Sequence, residues 1–143
     1  MRNNTYFIVH VNDCYINDYY IILRAHGKNH PELFVVYRLF GGLKADLEQH
    51  LLKEETILFP ELAQPDENHN EIILHVTEII KEHEAAGEIL SELRRVTHDY
   101  SIPEDACNTY KRAYTLLIEF ENDLHQHIHL ENNILLKDFD ERK

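Results

Sequence analysis

Apolar residues recur along this chain in alternating steps of three and four, the spacing of one buried helical face. The clearest stripe reads Leu33, Val36, Phe40, Leu43, Leu47, His50, Glu54, Leu58. A second reads Ile72, Val76, Ile79, His83, Ala86, Leu90, Leu93, and a third Tyr110, Ala113, Leu117, Phe120, Leu124, His127, Glu131, Ile134. Ahead of them lies a weaker face centred on Ile8, Tyr15, Tyr19 and Ile22. Breakers at Pro31, across Pro60 to Asn70 and at Ser101-Ile102-Pro103 separate the stripes. The pattern predicts helices over roughly 4–25, 31–59, 70–97 and 103–137, with Pro31 and Pro103 in first turns. Long amphipathic helices joined by short loops pack as an antiparallel four-helix bundle, so the expected fold is all-α and the domain single, 1–143. The Gly41-Gly42 pair costs about 1 kcal/mol per glycine relative to alanine, which predicts a bend or a close helix approach there.

Composition agrees with a helical class and narrows the partners. Four Gly and four Pro, with 28% charged and 43% hydrophobic residues, do not suit a turn-rich β-protein. The formal charge is −12, from 26 acids against 14 bases, and no basic cluster offsets it. Nucleic acid and anionic membrane are therefore not expected as partners. Cys14 and Cys107 stand far apart and form neither a disulfide framework nor a zinc or redox motif, which fits a reducing cytosol. Cys107 reads as a buried or half-buried free thiol. The short apolar run Tyr6–Val11 lacks a cleavage site, and no stretch approaches the ~20 residues that span a bilayer. The expectation is a soluble cytoplasmic protein.

Eleven histidines in 143 residues change the picture, because of where some of them fall. His50 with Glu54, His83, and His127 with Glu131 occupy positions that the stripes assign to the core. A buried carboxylate without a partner takes up a proton or finds a cation. The segment Asp46 to Leu58 also aligns without gaps onto Asp123 to Leu135, repeating Asp, Leu, Gln, His, Glu, Ile and Leu at the same spacings. This repeat and the core stripe both select His127. His125 and His129 fall on roughly the opposite face at ~100° per residue. They, with His10, His30, His69, His75 and His98, read as exposed.

Imidazole nitrogen with carboxylate oxygen suits iron, manganese or zinc. A structural zinc site would be richer in cysteine. Two carboxylates from facing helices can bridge two cations about 3.5–4 Å apart. The Glu-x-x-His spacing of ferritin-like bundles is absent, and His-x-x-x-Glu stands in its place.

Several stretches resemble the hemerythrin-like domain of the repair-of-iron-centres di-iron proteins. They are His26-Gly-Lys-Asn-His-Pro-Glu-Leu33, His50-Leu-Leu-Lys-Glu-Glu-Thr-Ile-Leu-Phe-Pro60, Glu82-His83 with Gly87-Glu-Ile-Leu90, Pro103 to Tyr110, and His127-Ile-His-Leu-Glu-Asn-Asn133. The similarity covers essentially Ala25 to Leu135. It implies two non-haem irons held by His50, Glu54, His83, His127 and Glu131, with the carboxylates bridging. It also implies restoration of iron–sulfur clusters damaged by oxidative or nitrosative stress, by iron donation, with iron–sulfur proteins as clients. The competing expectation is a hemerythrin-like protein that binds or senses oxygen or nitric oxide; nitric oxide reduction is a third, and a homodimer is possible for any of them.

Two departures from that family stand out. The small N-terminal domain with adjacent cysteines is not found in this sequence. In the first helix, Asn12 and Asp13 replace paired histidines, which leaves Asp13, His10 or water as the sixth ligand.

Overall fold

The structure, a computed structural model, describes residues 17–142. Helix α1 is described over 17–26, α2 spans Glu32–Lys53, α3 Phe59–Leu62, α4 His69–Val96 and α5 Asn108–Leu130. No strand occurs among the described residues, and the long helices make the expected all-α bundle. None of these helices is long and apolar enough to cross a membrane. The expected first helix from about 4, with Ile8, His10, Asn12, Asp13 and Tyr15, begins outside the described residues.

Two π-helical turns extend the long helices. One, Glu54–Leu58, links α2 to α3; the other, Glu131–Leu135, follows α5. Each is closed by an i→i+5 bond, from Phe59 N–H to the Glu54 carbonyl and from Leu136 N–H to the Glu131 carbonyl. Such single π-turns concentrate at functional sites.

The stripes are buried nearly as the pattern requires, with one instructive exception. Ile134 ends the third stripe yet is 64% exposed, and its repeat partner Ile57 is 42% exposed. The π-turn holds one residue more than an α-turn, so the core face is regained at the fully buried Leu136. Gly41-Gly42 neither breaks α2 nor marks a close approach at Gly42, where an added Cβ would meet nothing within 4 Å.

The final helix starts at Asn108, later than the 103 expected. Pro103 to Ala106 form a turn, with the Ala106 N–H donating to the Pro103 carbonyl, and Cys107 is extended at ψ 171°. Cys107 is exposed there, against the expectation of a half-buried thiol. His30 bonds Asp105 at 2.7 Å, tying the α1–α2 turn to this loop. After α4 the chain turns through His98, Asp99 and Tyr100, all at positive φ, and this left-handed run folds the Tyr100 ring into the core.

The apolar interior divides into two clusters. The larger includes Tyr19, Leu33, Phe40, Leu47, Ala86, Leu117 and Leu124. The smaller comprises Leu58, Ile72, Val76, Ile79, Ile80 and Leu136. Along α2 the sequence between Leu47 and Leu58 carries His50 and Glu54; along α4, His83 lies between Ile80 and Ala86; along α5, His127 and Glu131 lie between Leu124 and Leu136. The polar residues thus form one layer between two apolar ones.

Candidate metal centre

Each helix contributes its side chains to this layer through ordinary helical spacing. His50 and His127 sit on the inward faces of α2 and α5, Glu54 and Glu131 follow one turn on as the first residues of the two π-turns, and His83 comes from α4. All five are buried: His50 3%, Glu54 1%, His83 6%, His127 4% and Glu131 1% exposed.

The side chains converge. His50 Nε2 lies 2.8 Å from Glu54 Oε1 and 3.2 Å from His83 Nε2, and His83 Nε2 lies 3.3 Å from Glu131 Oε2. Donor atoms of His50, Glu54, His83 and Glu131 all fall within 4.8 Å of one another. His127 lies outside that tight group but its Nε2 touches Glu131 Oε1, and its ring centroid is 6.5 Å from that of His50.

Of these close contacts, only His50 Nε2–His83 Nε2 has hydrogen-bond geometry. Glu54 Oε1, His127 Nε2 and both Glu131 oxygens are buried without a hydrogen-bond partner, although ion-pair distances connect them to neighbouring imidazoles. Their angles are wrong for N–H···O bonding, so proximity alone does not satisfy them. Buried polar atoms left in this way are costly. Cations accepting the imidazole nitrogens and carboxylate oxygens would satisfy every one of these atoms together. Three imidazoles with two carboxylates therefore fit a pair of non-haem iron ions, on donor chemistry as well as burial.

Without a cation, protons take up the charge. Burial lowers the His50 pKa, but Glu54 close by, the charge of Glu131 and the bond to Glu82 outweigh it and raise it to about 9. Burial and the facing Glu131 push Glu54 up to about 7, against the pull of His50. Glu131 goes the other way: burial would raise it, yet His127 and His83 hold it below the usual carboxylate range. Two carboxylates this close do not both ionise unaided, and Glu54 is the one that keeps the proton.

Sequence reasoning did not single out the groups behind the layer. His50 Nδ1 donates to Glu82 Oε2 at 2.7 Å, and Lys53 Nζ holds Glu82 Oε1 at 2.6 Å. His83 Nδ1 donates to Asn132 Oδ1 at 2.7 Å. Glu82 and Asn132 are chain neighbours of His83 and Glu131, a signal that becomes readable only once the inward residues are known. A cavity of about 100 Å³ abuts the cluster, bounded by His50, His83 and His127 and by the apolar Leu43, Leu47 and Leu124. His125 and His129 lie on the outer face as expected, His129 bonded to Asn133. His30 and His75 are instead half-buried, paired with Asp105 and Glu61.

An antiparallel helical bundle with a buried layer of imidazoles and carboxylates defines a metal-binding bundle protein. Residues 15–138 match the family described as the hemerythrin HHE cation binding domain, and the chain belongs to that family. It is similar to the iron-sulfur cluster repair protein ScdA of Staphylococcus epidermidis, 34% identical over 118 residues, which are 81% of this chain and 53% of that protein. It is also similar to ScdA of Staphylococcus haemolyticus, 30% identical over 122 residues, covering 82% of this chain and 54% of that one. The iron-sulfur cluster repair protein YtfE of Yersinia pestis is 37% identical over 137 residues, covering 81% of this chain and 61% of that protein. The chain thus spans between about half and three-fifths of the length of these relatives.

Proposed function

We propose that this domain holds two non-haem irons through His50, Glu54, His83, His127 and Glu131, and that it acts in the cytoplasm to repair damaged iron–sulfur clusters by donating iron. The observation that carries the metal reading is the set of buried, unbonded oxygens and nitrogens on Glu54, Glu131 and His127. Relatives named for iron-sulfur cluster repair, at 34 to 37% identity, support the rest.

The site's own chemistry suits release as well as retention. Bound iron would supply the positive charge that two buried carboxylates require. When iron departs as cargo, His50 and Glu54 take up protons in its place, because both have raised proton affinities. The emptied layer is then left neutralised, which lowers the cost of giving iron up. Iron–sulfur proteins are the clients on this reading.

The test is transfer to a dehydratase whose iron–sulfur cluster has been damaged by nitric oxide. Iron-loaded protein should restore activity, whereas metal-free protein and the Glu54→Ala variant should not. Failure of the loaded protein to restore activity, with reversible oxygen or nitric oxide binding instead, would replace donation by gas carriage or sensing.

A further inference from the structure

Resting on the metal reading above, we propose that Asn132 is a positioning residue that presents His83 to the metal pair. The His83 side chain is 4% exposed, and its Nδ1 lies 2.7 Å from Asn132 Oδ1. Its other nitrogen, Nε2, faces the site, 3.2 Å from His50 Nε2 and 3.3 Å from Glu131 Oε2. A neutral imidazole carries one N–H, and an amide oxygen can only accept. The Asn132 oxygen therefore places the proton on Nδ1 and leaves the Nε2 lone pair aimed at the cations. With the proton on Nε2, the ring would point an N–H at positive charge and could not ligate.

The placement of Asn132 adds to this. It directly follows Glu131 inside the π-turn Glu131–Leu135, so one turn of backbone supplies both a carboxylate and the group that orients the histidine facing it. In the internal repeat the matching residue is Glu55, which is exposed. The repeat thus explains the ligands of both helices, but the orienting amide belongs to one half alone. His50 is oriented differently, by the carboxylate of Glu82 that Lys53 anchors. A carboxylate makes its histidine more electron-rich than a neutral amide does. His83 is accordingly the weaker donor of the two.

The experiment compares Asn132→Leu and Asn132→Ala, which remove the acceptor, with Asn132→Asp, which keeps one. Long-range ¹H–¹⁵N spectra of the His83 imidazole in metal-free protein report its tautomer. Anaerobic ferrous titration against a chelator reports the affinity of each iron. Asn132→Leu and Asn132→Ala should lose the Nδ1–H tautomer and weaken one iron by about 10–100-fold while sparing the other. Asn132→Asp should retain the tautomer and hold both irons at least as tightly as the wild type. Unchanged tautomer and affinities in the Leu and Ala variants would overturn the proposal, as would an Asp variant that folds but loses the tautomer or binds iron more weakly. Wild-type protein that takes up no iron would overturn the metal reading instead, and the tautomer would still judge Asn132.

Discussion

Glu54 and Glu131 pose the sharpest physical problem in the molecule, because each is 1% exposed and they share one apolar interior. A pair of iron ions answers it, and replacing either carboxylate with alanine should abolish paired iron while leaving iron content near that of wild type in His125→Ala and His129→Ala. Metal analysis of the purified variants checks this; equal loss from His129→Ala and His127→Ala would mean that α5 does not present His127 alone to the metal. Protons provide the second prediction. His50 and Glu54 both hold protons more tightly folded than unfolded, so their stabilising contribution is present at low pH. It is lost as pH rises through about 7 for Glu54 and about 9 for His50. The melting temperature of metal-free protein should therefore fall, by roughly several degrees, between about pH 5 and pH 9, and that of iron-loaded protein should not. Calorimetry on both forms decides it; a flat profile for the metal-free protein would count against the protonated site. At this scale the five inward residues were legible, since polar side chains interrupting an apolar stripe stand out in one dimension. Glu82, Lys53 and Asn132 were not, because on a helical wheel they look like ordinary flank residues and only the neighbouring helix gives them a role.

Among the elements, the π-turns are what the periodicity hid. An inserted residue leaves a three-four pattern readable on either side, so the stripes came through while Ile134 was assigned inward and is 64% exposed. The glycines test the local geometry. Gly42 is helical with open space around an added Cβ, so Gly42→Ala should stabilise the protein by about 0.5–1 kcal/mol. At Gly27 the same methyl would sit 2.5 Å from the Leu23 carbonyl oxygen, and Gly27→Ala should destabilise by about 1–3 kcal/mol. Thermal melts of the two variants should move in opposite directions; a shared direction would show that the helix end and the helix interior are not as described.

For the whole molecule, three amphipathic stripes and their breakers were enough to read an all-α bundle, because burying one face of each helix leaves few other packings. The burial of three histidines and two carboxylates was legible too, and so was their uneven number. Three imidazoles cannot be divided equally between two ions, so iron should leave to a chelator in two phases, the first well before the second. Monophasic loss would mean that a further residue completes the shell. The most direct measurement of the central claim is metal content together with Mössbauer spectroscopy of protein loaded anaerobically with iron and then oxidised. Two irons per chain, magnetically coupled through bridging ligands and absent from a Glu54→Ala, Glu131→Ala double variant, is the expected result. Stoichiometric zinc with no retained iron, or iron bound equally well by the double variant, would contradict it.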